Sequence, residues 1–315
     1  MAEQTIILCP GQGAQHVGMG RDFVESSAAA AEFFERADEA SGGAISRACF
    51  EGPEDVLNQT DVAQPAIFTT SVAAMHAAAT SGGKVGSAIL DDVAGYAGLS
   101  LGEYTALHFA GVFDFNTGLK LVSARGRYMQ EAAVATPSSM VSIIGAGDEE
   151  VETLCADAAD GAVLVPANYN SPGQIVVSGT IAACDRAVTL AGERGFRAIP
   201  LKVAGAFHSP IMQPAADRLA EDLEQVEFQE PRKTVWANTT AEPHGDPESI
   251  KAELVKQITE PVRWSQTMAK LADDHSFVEL APGRVLSGLL KKVNRRAPIT
   301  NLGTAENLKK ANEDG

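Results

Sequence analysis

Residues 93–107 read VAGYAGLSLGEYTAL. The small, apolar run Val93, Ala94, Tyr96, Ala97 has the character of a strand, and the stretch from Glu103-Tyr104 that of an amphipathic helix. Between them Gly98-Leu99-Ser100-Leu101-Gly102 fits G-x-S-x-G, a sharp strand-to-helix turn that pushes a serine hydroxyl into the open. Gly98 and Gly102 suit that turn, because residues without a Cβ let strand and helix approach closely. The helix that follows aims free N–H groups and a partial positive charge at the serine, which a developing oxyanion can use. The bland alternative is a tight loop whose serine caps the helix. The strand before and the helix after favour a nucleophile.

Strands and helices alternate on both sides of this turn. Upstream, 5–9 (TIILC) reads as a buried strand ended by Pro10, 23–41 and 62–79 as helices, and 81–92, with Gly82-Gly83, as a loop. Downstream, 115–134 is a long helix and 135–139 a crossover. Residues 140–144, 148–159, 163–167, 174–178, 180–194 and 197–201 then read β-α-β-β-α-β, the ferredoxin-like plan, with a turn-rich loop at 168–173. Strands at 234–237, 277–280 and 299–302 alternate with helices at 249–259, 262–272 and 285–293. The expected fold class is α/β: an α/β-hydrolase-like large domain with a parallel sheet, made of 1–134 and 203–315, with an inserted ferredoxin-like α+β small domain at 135–202.

Composition bounds the function. The 315 residues are 45% hydrophobic and 21% charged, enough for one large domain or two moderate ones with a sizeable core. A net charge of -16 argues against a nucleic-acid partner and against an anionic membrane surface. Cys9, Cys49, Cys155 and Cys184 lack metal-ligand or redox spacing. They read as reduced thiols, so a cytoplasmic setting is expected, with no signal peptide, no membrane span and no metal.

Three further features carry charge or chemistry. On the 115–134 helix Leu121, Arg125 and Met129 share one face, so Arg125 projects from an apolar stripe. A charge so placed needs a partner, either an internal acid or a substrate carboxylate gripped in two-pronged fashion. Of six histidines, His208 stands apart in a loop of small residues, where a base for Ser100 is expected; His244 sits in a polar, Pro/Gly-rich loop and reads as a surface or packing residue. Lys291, Lys292, Arg295 and Arg296 form a basic cluster on an acidic chain, either complementing a helix C-terminus or docking an acidic partner. Pro10 to Gln15 (PGQGAQ) lacks the G-x-G-x-x-G spacing of dinucleotide sites, since His16 stands at the last position.

Together these motifs resemble the malonyl-CoA:acyl carrier protein transacylases, the acyltransferases of type II fatty-acid synthesis, over nearly the whole chain. Pro10 to Gln15, Gly98 to Tyr104, Arg125-Gly126, Asn168 to Gly179, Ala206-Phe207-His208-Ser209, and Gln257 before Pro261-Val262-Arg263-Trp264 occur in the family's order. The resemblance implies Ser100 as nucleophile and His208 as its base, oriented by Gln257 through an oxygen acceptor. It implies an oxyanion hole from the backbone N–H groups of Gln12 and Leu101. Arg125 would pair with the free malonyl carboxylate, and Asn168 and Phe207 would contact substrate, Phe207 as in the malonyl-selective form of the motif. The implied reaction is ping-pong transfer from malonyl-CoA through a malonyl-serine ester to the phosphopantetheine thiol of an acyl carrier protein, with no cofactor, since the CoA thioester is a substrate. A monomer is expected. Leu99 departs from the commonest elbow, which has histidine there. The alternatives are a trans-acting polyketide acyltransferase and, further off, a serine thioesterase or esterase, which would have no use for Arg125.

Overall fold

The computed structural model describes residues 4–313 and contains two sheets. The first is wholly parallel and five-stranded: β1 (Thr5–Cys9), β2 (Val93–Gly98), β7 (Thr234–Trp236), β8 (Ser276–Leu280) and β9 (Ile299–Leu302), in the order β7-β2-β1-β8-β9. The second is antiparallel and four-stranded: β3 (Ser138–Ile144), β4 (Leu164–Ser171), β5 (Gln174–Thr180) and β6 (Arg197–Pro200), in the order β4-β5-β3-β6. The chain is therefore mixed α/β, and no described helix is long and apolar enough to cross a membrane.

The unbroken apolar run of β1 follows from its central place. Ile7 and Cys9 pack into one core and Ile6 and Leu8 into another on the opposite face, so no position along the strand meets water. The antiparallel sheet has its own core, built from Val141, Ile143, Ile175 and Val177 against Val151, Leu154 and Cys184 of its two helices. In an open parallel sheet the loops at the carboxyl ends of the strands build the site. Here Pro10 follows β1, Ser100 follows β2 and Asn238 follows β7 at that edge, facing the antiparallel sheet across a cleft.

Several local expectations are corrected. Residues 81–92 contain the helix Gly83–Leu90, because Val85 and Ile89 lie one turn apart and bury together; the glycines mark only its start. The supposed loop 168–173 is mostly strand: β4 continues to Ser171 with two irregularities in register, and only Pro172-Gly173 turns. Asn168 also bridges Val262 in parallel, which takes Val262 out of the following helix, Trp264–Leu271. The helix at 23–41 is two, Arg21–Ser26 and Ala28–Ser41, divided at Ser27, whose hydroxyl accepts the Ala30 N–H. Helices Ala44–Glu51 and Ala305–Glu313 had no counterpart in the sequence reading.

Candidate active site

The elbow is tight enough to require its glycines. Ser100 has φ 52° and ψ −106°, a backbone region that costs a non-glycine residue on the order of 1–3 kcal/mol. A Cβ on Gly98 would stand 1.9 Å from the backbone of Gly102, and one on Gly102 would stand 2.1 Å from the Cys9 carbonyl oxygen. Neither neighbour is a side chain that can move aside. Gly102→Ala is therefore expected to lower stability by at least about 2 kcal/mol, read as a shift of the urea midpoint. Asn238 staples the turn from the next strand: its Oδ1 accepts the Ser100 N–H at 2.6 Å and its Nδ2 donates to the Gly98 carbonyl at 2.7 Å.

His208 reaches this serine from the loop after β6. Its backbone also sits at positive φ, 56°, and Ser209 Oγ donates to the Ala206 carbonyl at 2.6 Å to hold the loop. The ring lies between two partners: Nε2 is 2.8 Å from Ser100 Oγ and Nδ1 is 2.6 Å from the backbone carbonyl of Gln257. A carbonyl only accepts, so Nδ1 carries the proton and Nε2 is free to take the serine's. Burial, and then the charge of Arg125, push the imidazole down from 6.5 to about 4. The ring is thus neutral at neutral pH, with Nε2 open to accept a proton. The kcat/KM for acyl loading should stay level as pH falls through 6.5 and drop only toward 4; a break near 6.5 in the pH–rate profile would contradict this geometry.

Arg125 projects from the helix Phe115–Ala135 and is 1% exposed. Its Nη1 donates to Gln64 Oε1 at 2.7 Å, and its Nη2 to Gln257 Oε1 at 2.9 Å and to Ser100 Oγ at 3.0 Å. The guanidinium also lies over the Tyr104 ring, 5.5 Å from its centroid. Among the described residues no carboxylate pairs with it directly: all three acceptors are neutral. Burial pulls its pKa down, though a guanidinium remains charged.

Other candidates fall into two groups. Gln12, Ser100, Arg125, Asn168, Phe207 and His208 line one cavity of about 350 Å³, whose apolar wall includes Met129, Met140, Val176 and Leu289. Gln257 lies buried behind it, and Leu101 opens the helix after the elbow. Among the described residues the Gln12 and Leu101 N–H groups have no backbone or side-chain acceptor in the chain. The basic cluster stands outside this cavity, with all four side chains exposed. Lys291 Nζ donates to the Ala297 carbonyl at 2.7 Å, while Lys292 reaches Gln174 at the cavity's rim.

Sequence reasoning missed four residues here. Gln64, Asn238, Glu103 and His244 are all bonded into the network around Ser100 and Arg125. His244 is no surface residue: its side chain is 1% exposed and its Nε2 lies 2.6 Å from Glu103 Oε1. Pairing across long sequence separation left no local signal for Gln64, Asn238 or His244. Among the described residues no group of His, Cys, Asp or Glu has the arrangement to hold a metal.

A serine hydrogen-bonded to a histidine, beside a buried guanidinium, is an arrangement suited to acyl transfer through an acyl-serine ester. The acyl transferase domain family matches residues 6–314. Malonyl CoA-acyl carrier protein transacylase of Bacillus subtilis (strain 168) is 39% identical over 308 residues, 96% of this chain and 95% of its own length. The structure of the malonyl CoA-acyl carrier protein transacylase from Coxiella burnetii superposes with a TM-score of 0.92 at 36% identity, covering 99% of this chain and 97% of that one. A solved complex of a type II PKS acyl-carrier protein with its malonyl-transacylase contains a chain with TM-score 0.92 and 35% identity, covering 99% of this chain and 100% of that one. The chain belongs to the malonyl CoA-acyl carrier protein transacylase family of acyl transferases.

Proposed function

We propose that this protein moves the malonyl group from malonyl-CoA to the phosphopantetheine thiol of an acyl carrier protein, supplying fatty-acid synthesis. The observation that carries the reading is the 3.0 Å contact between Ser100 Oγ and a buried guanidinium whose partners are all neutral. An acyl group bound to that oxygen would bring its own carboxylate to the buried cation of the cleft, Lys202 lining the same cavity from an exposed position.

The steps follow from the hydrogen bonds. Ser100 Oγ attacks the thioester carbonyl while its proton passes to His208 Nε2. The unpaired N–H groups of Gln12 and Leu101 receive the oxyanion. The tetrahedral adduct expels the CoA thiolate, which takes the proton from His208. The carrier's thiol then attacks the malonyl-serine ester, His208 accepts its proton, and Ser100 leaves with that proton restored. Gln257 holds the ring through its backbone carbonyl, the oxygen acceptor that takes the place of a triad acid. Phe207, Met129 and Met140 give the cavity an apolar wall, which favours an unbranched malonyl group and disfavours water as acceptor. Asn168 lines the same cavity as a polar substrate contact.

The strand order β4-β5-β3-β6, with its separate core, supports a ferredoxin-like unit at 135–202 inserted between 1–134 and 203–315 of an α/β-hydrolase-like body. Four buried, free cysteines support a reducing, cytoplasmic setting.

The test is incubation with malonyl-CoA followed by intact-mass measurement. A malonyl-sized adduct, discharged by added carrier protein, is expected; protein of unchanged mass would refute the covalent route. Carrier proteins from fatty-acid and polyketide pathways offered in the second half-reaction separate the two physiological roles. Carrier docking is assigned to Lys292, Arg295 and Arg296, with Lys291 contributing charge while tied to Ala297. Reversing the first three charges should raise the carrier's KM about tenfold and leave CoA loading within about twofold. Equal losses in both half-reactions would remove the patch from the docking surface.

A further inference from the structure

Glu103 follows the elbow by three residues and points away from the cavity, into the protein, where it is 1% exposed. Its carboxylate meets three N–H groups. Oε2 accepts from Gln257 Nε2 at 2.6 Å and from the Asn238 backbone at 3.2 Å; Oε1 lies 2.6 Å from His244 Nε2. His244 Nδ1 is buried without a partner, so the ring's proton belongs on Nε2, where Glu103 accepts it. Only an acceptor on both oxygens satisfies this arrangement.

The consequence lies in the Gln257 amide, whose two ends are chemically opposite. Its Nε2 is held by Glu103 and by the Ser100 carbonyl at 3.0 Å, which turns Oε1 toward Arg125 Nη2 at 2.9 Å. A flipped amide would set donor against donor at Arg125 and acceptor against acceptor at Glu103. Glu103 also balances the buried guanidinium through one intervening amide. The cation is held in place and partly compensated, yet among the described residues no carboxylate bonds to it directly.

We propose that Glu103, held by His244, is a positioning residue for the acyl-carboxylate receptor: it fixes which end of the Gln257 amide faces Arg125 and so sets selectivity for an anionic acyl group. This rests on the malonyl reading above. His208 is held by the Gln257 backbone, not by its side chain, so the loading chemistry itself depends less on Glu103.

The experiment measures kcat/KM for loading from malonyl-CoA and from acetyl-CoA, with Tm, in wild type, Glu103→Gln, His244→Leu and His244→Gln. Glu103→Gln replaces one acceptor oxygen with a donor, and the malonyl-to-acetyl ratio should fall on the order of tenfold or more, chiefly through the KM for malonyl-CoA. His244→Leu should lower the ratio by several-fold, and His244→Gln, which returns a neutral N–H donor, should recover part of it. Should Glu103→Gln fail to fold, the two His244 variants decide alone. An unchanged ratio in the folded variants, or equal losses with both substrates, overturns the proposal. Absence of malonyl loading in wild type would instead overturn the function it rests on.

Discussion

Ser100→Ala is expected to abolish the malonyl adduct and to reduce malonyl transfer by roughly 10⁴-fold or more, while the protein stays folded. The size follows from the route. A ping-pong transfer has no covalent intermediate without its nucleophile, and what remains is direct exchange between two thiols that must share one cavity of about 350 Å³. Folding should survive because the turn is held by groups other than the hydroxyl. The Asn238 staple acts on the Ser100 N–H, and the Gly98–Gly102 contact is backbone. Alanine fits φ 52° no worse than serine. The change leaves His208 Nε2 without its donor in a buried place, a loss of about 1 kcal/mol. Intact mass after malonyl-CoA exposure, with Tm alongside, checks both halves. An adduct that persists in the variant would move the nucleophile elsewhere.

Much of this site was legible because its chemistry is local. The G-x-S-x-G turn contains the serine, its flanking glycines and the start of the helix within five residues, and each has a steric reason visible in sequence. His208 stood out because a histidine among small residues has no packing role there. Gln64 was hidden by its helix, Thr60–Thr80, which is apolar nearly all round, so one buried amide leaves no periodic trace. Glu103 sat inside the motif, but its meaning depends on Gln257 and His244, 154 and 141 residues away. The continuation of β4 past Ala167 was obscured by Asn168 and Asn170, turn formers that an irregular, bulged strand tolerates. Even Arg125, correctly placed on an apolar stripe, left its partner undecided, because helical spacing gives a side chain's face and not what approaches that face.

The direct partners of Arg125 now bear on that choice and lead to the second large effect. Arg125→Ala is expected to lower kcat/KM for malonyl-CoA by roughly 10²–10⁴, the range for removing one member of a buried charge pair worth about 3–5 kcal/mol. Acetyl-CoA loading should hold steady or improve, since an acetyl group has no carboxylate to strand in the cavity and alanine frees space beside Ser100. Had the guanidinium been paired with an internal acid, its removal would have left that acid unpartnered and injured both substrates alike. Its observed direct partners, Gln64, Gln257 and Ser100, are amides and a hydroxyl that lose one hydrogen bond each; Glu103, one amide further off, keeps its three N–H donors, and a bound anion loses its direct counter-charge. Arg125→Lys sharpens the case. It keeps the charge but not the planar fork, and a lysine cannot serve Gln64, Gln257 and a carboxylate in one plane. Its malonyl activity should fall between wild type and alanine, with KM affected more than kcat. Competition between malonyl-CoA and acetyl-CoA in one reaction, scored by adduct mass, reads this directly, and a malonyl-to-acetyl ratio indifferent to all three residues at position 125 would mean that the acyl carboxylate is recognised somewhere else.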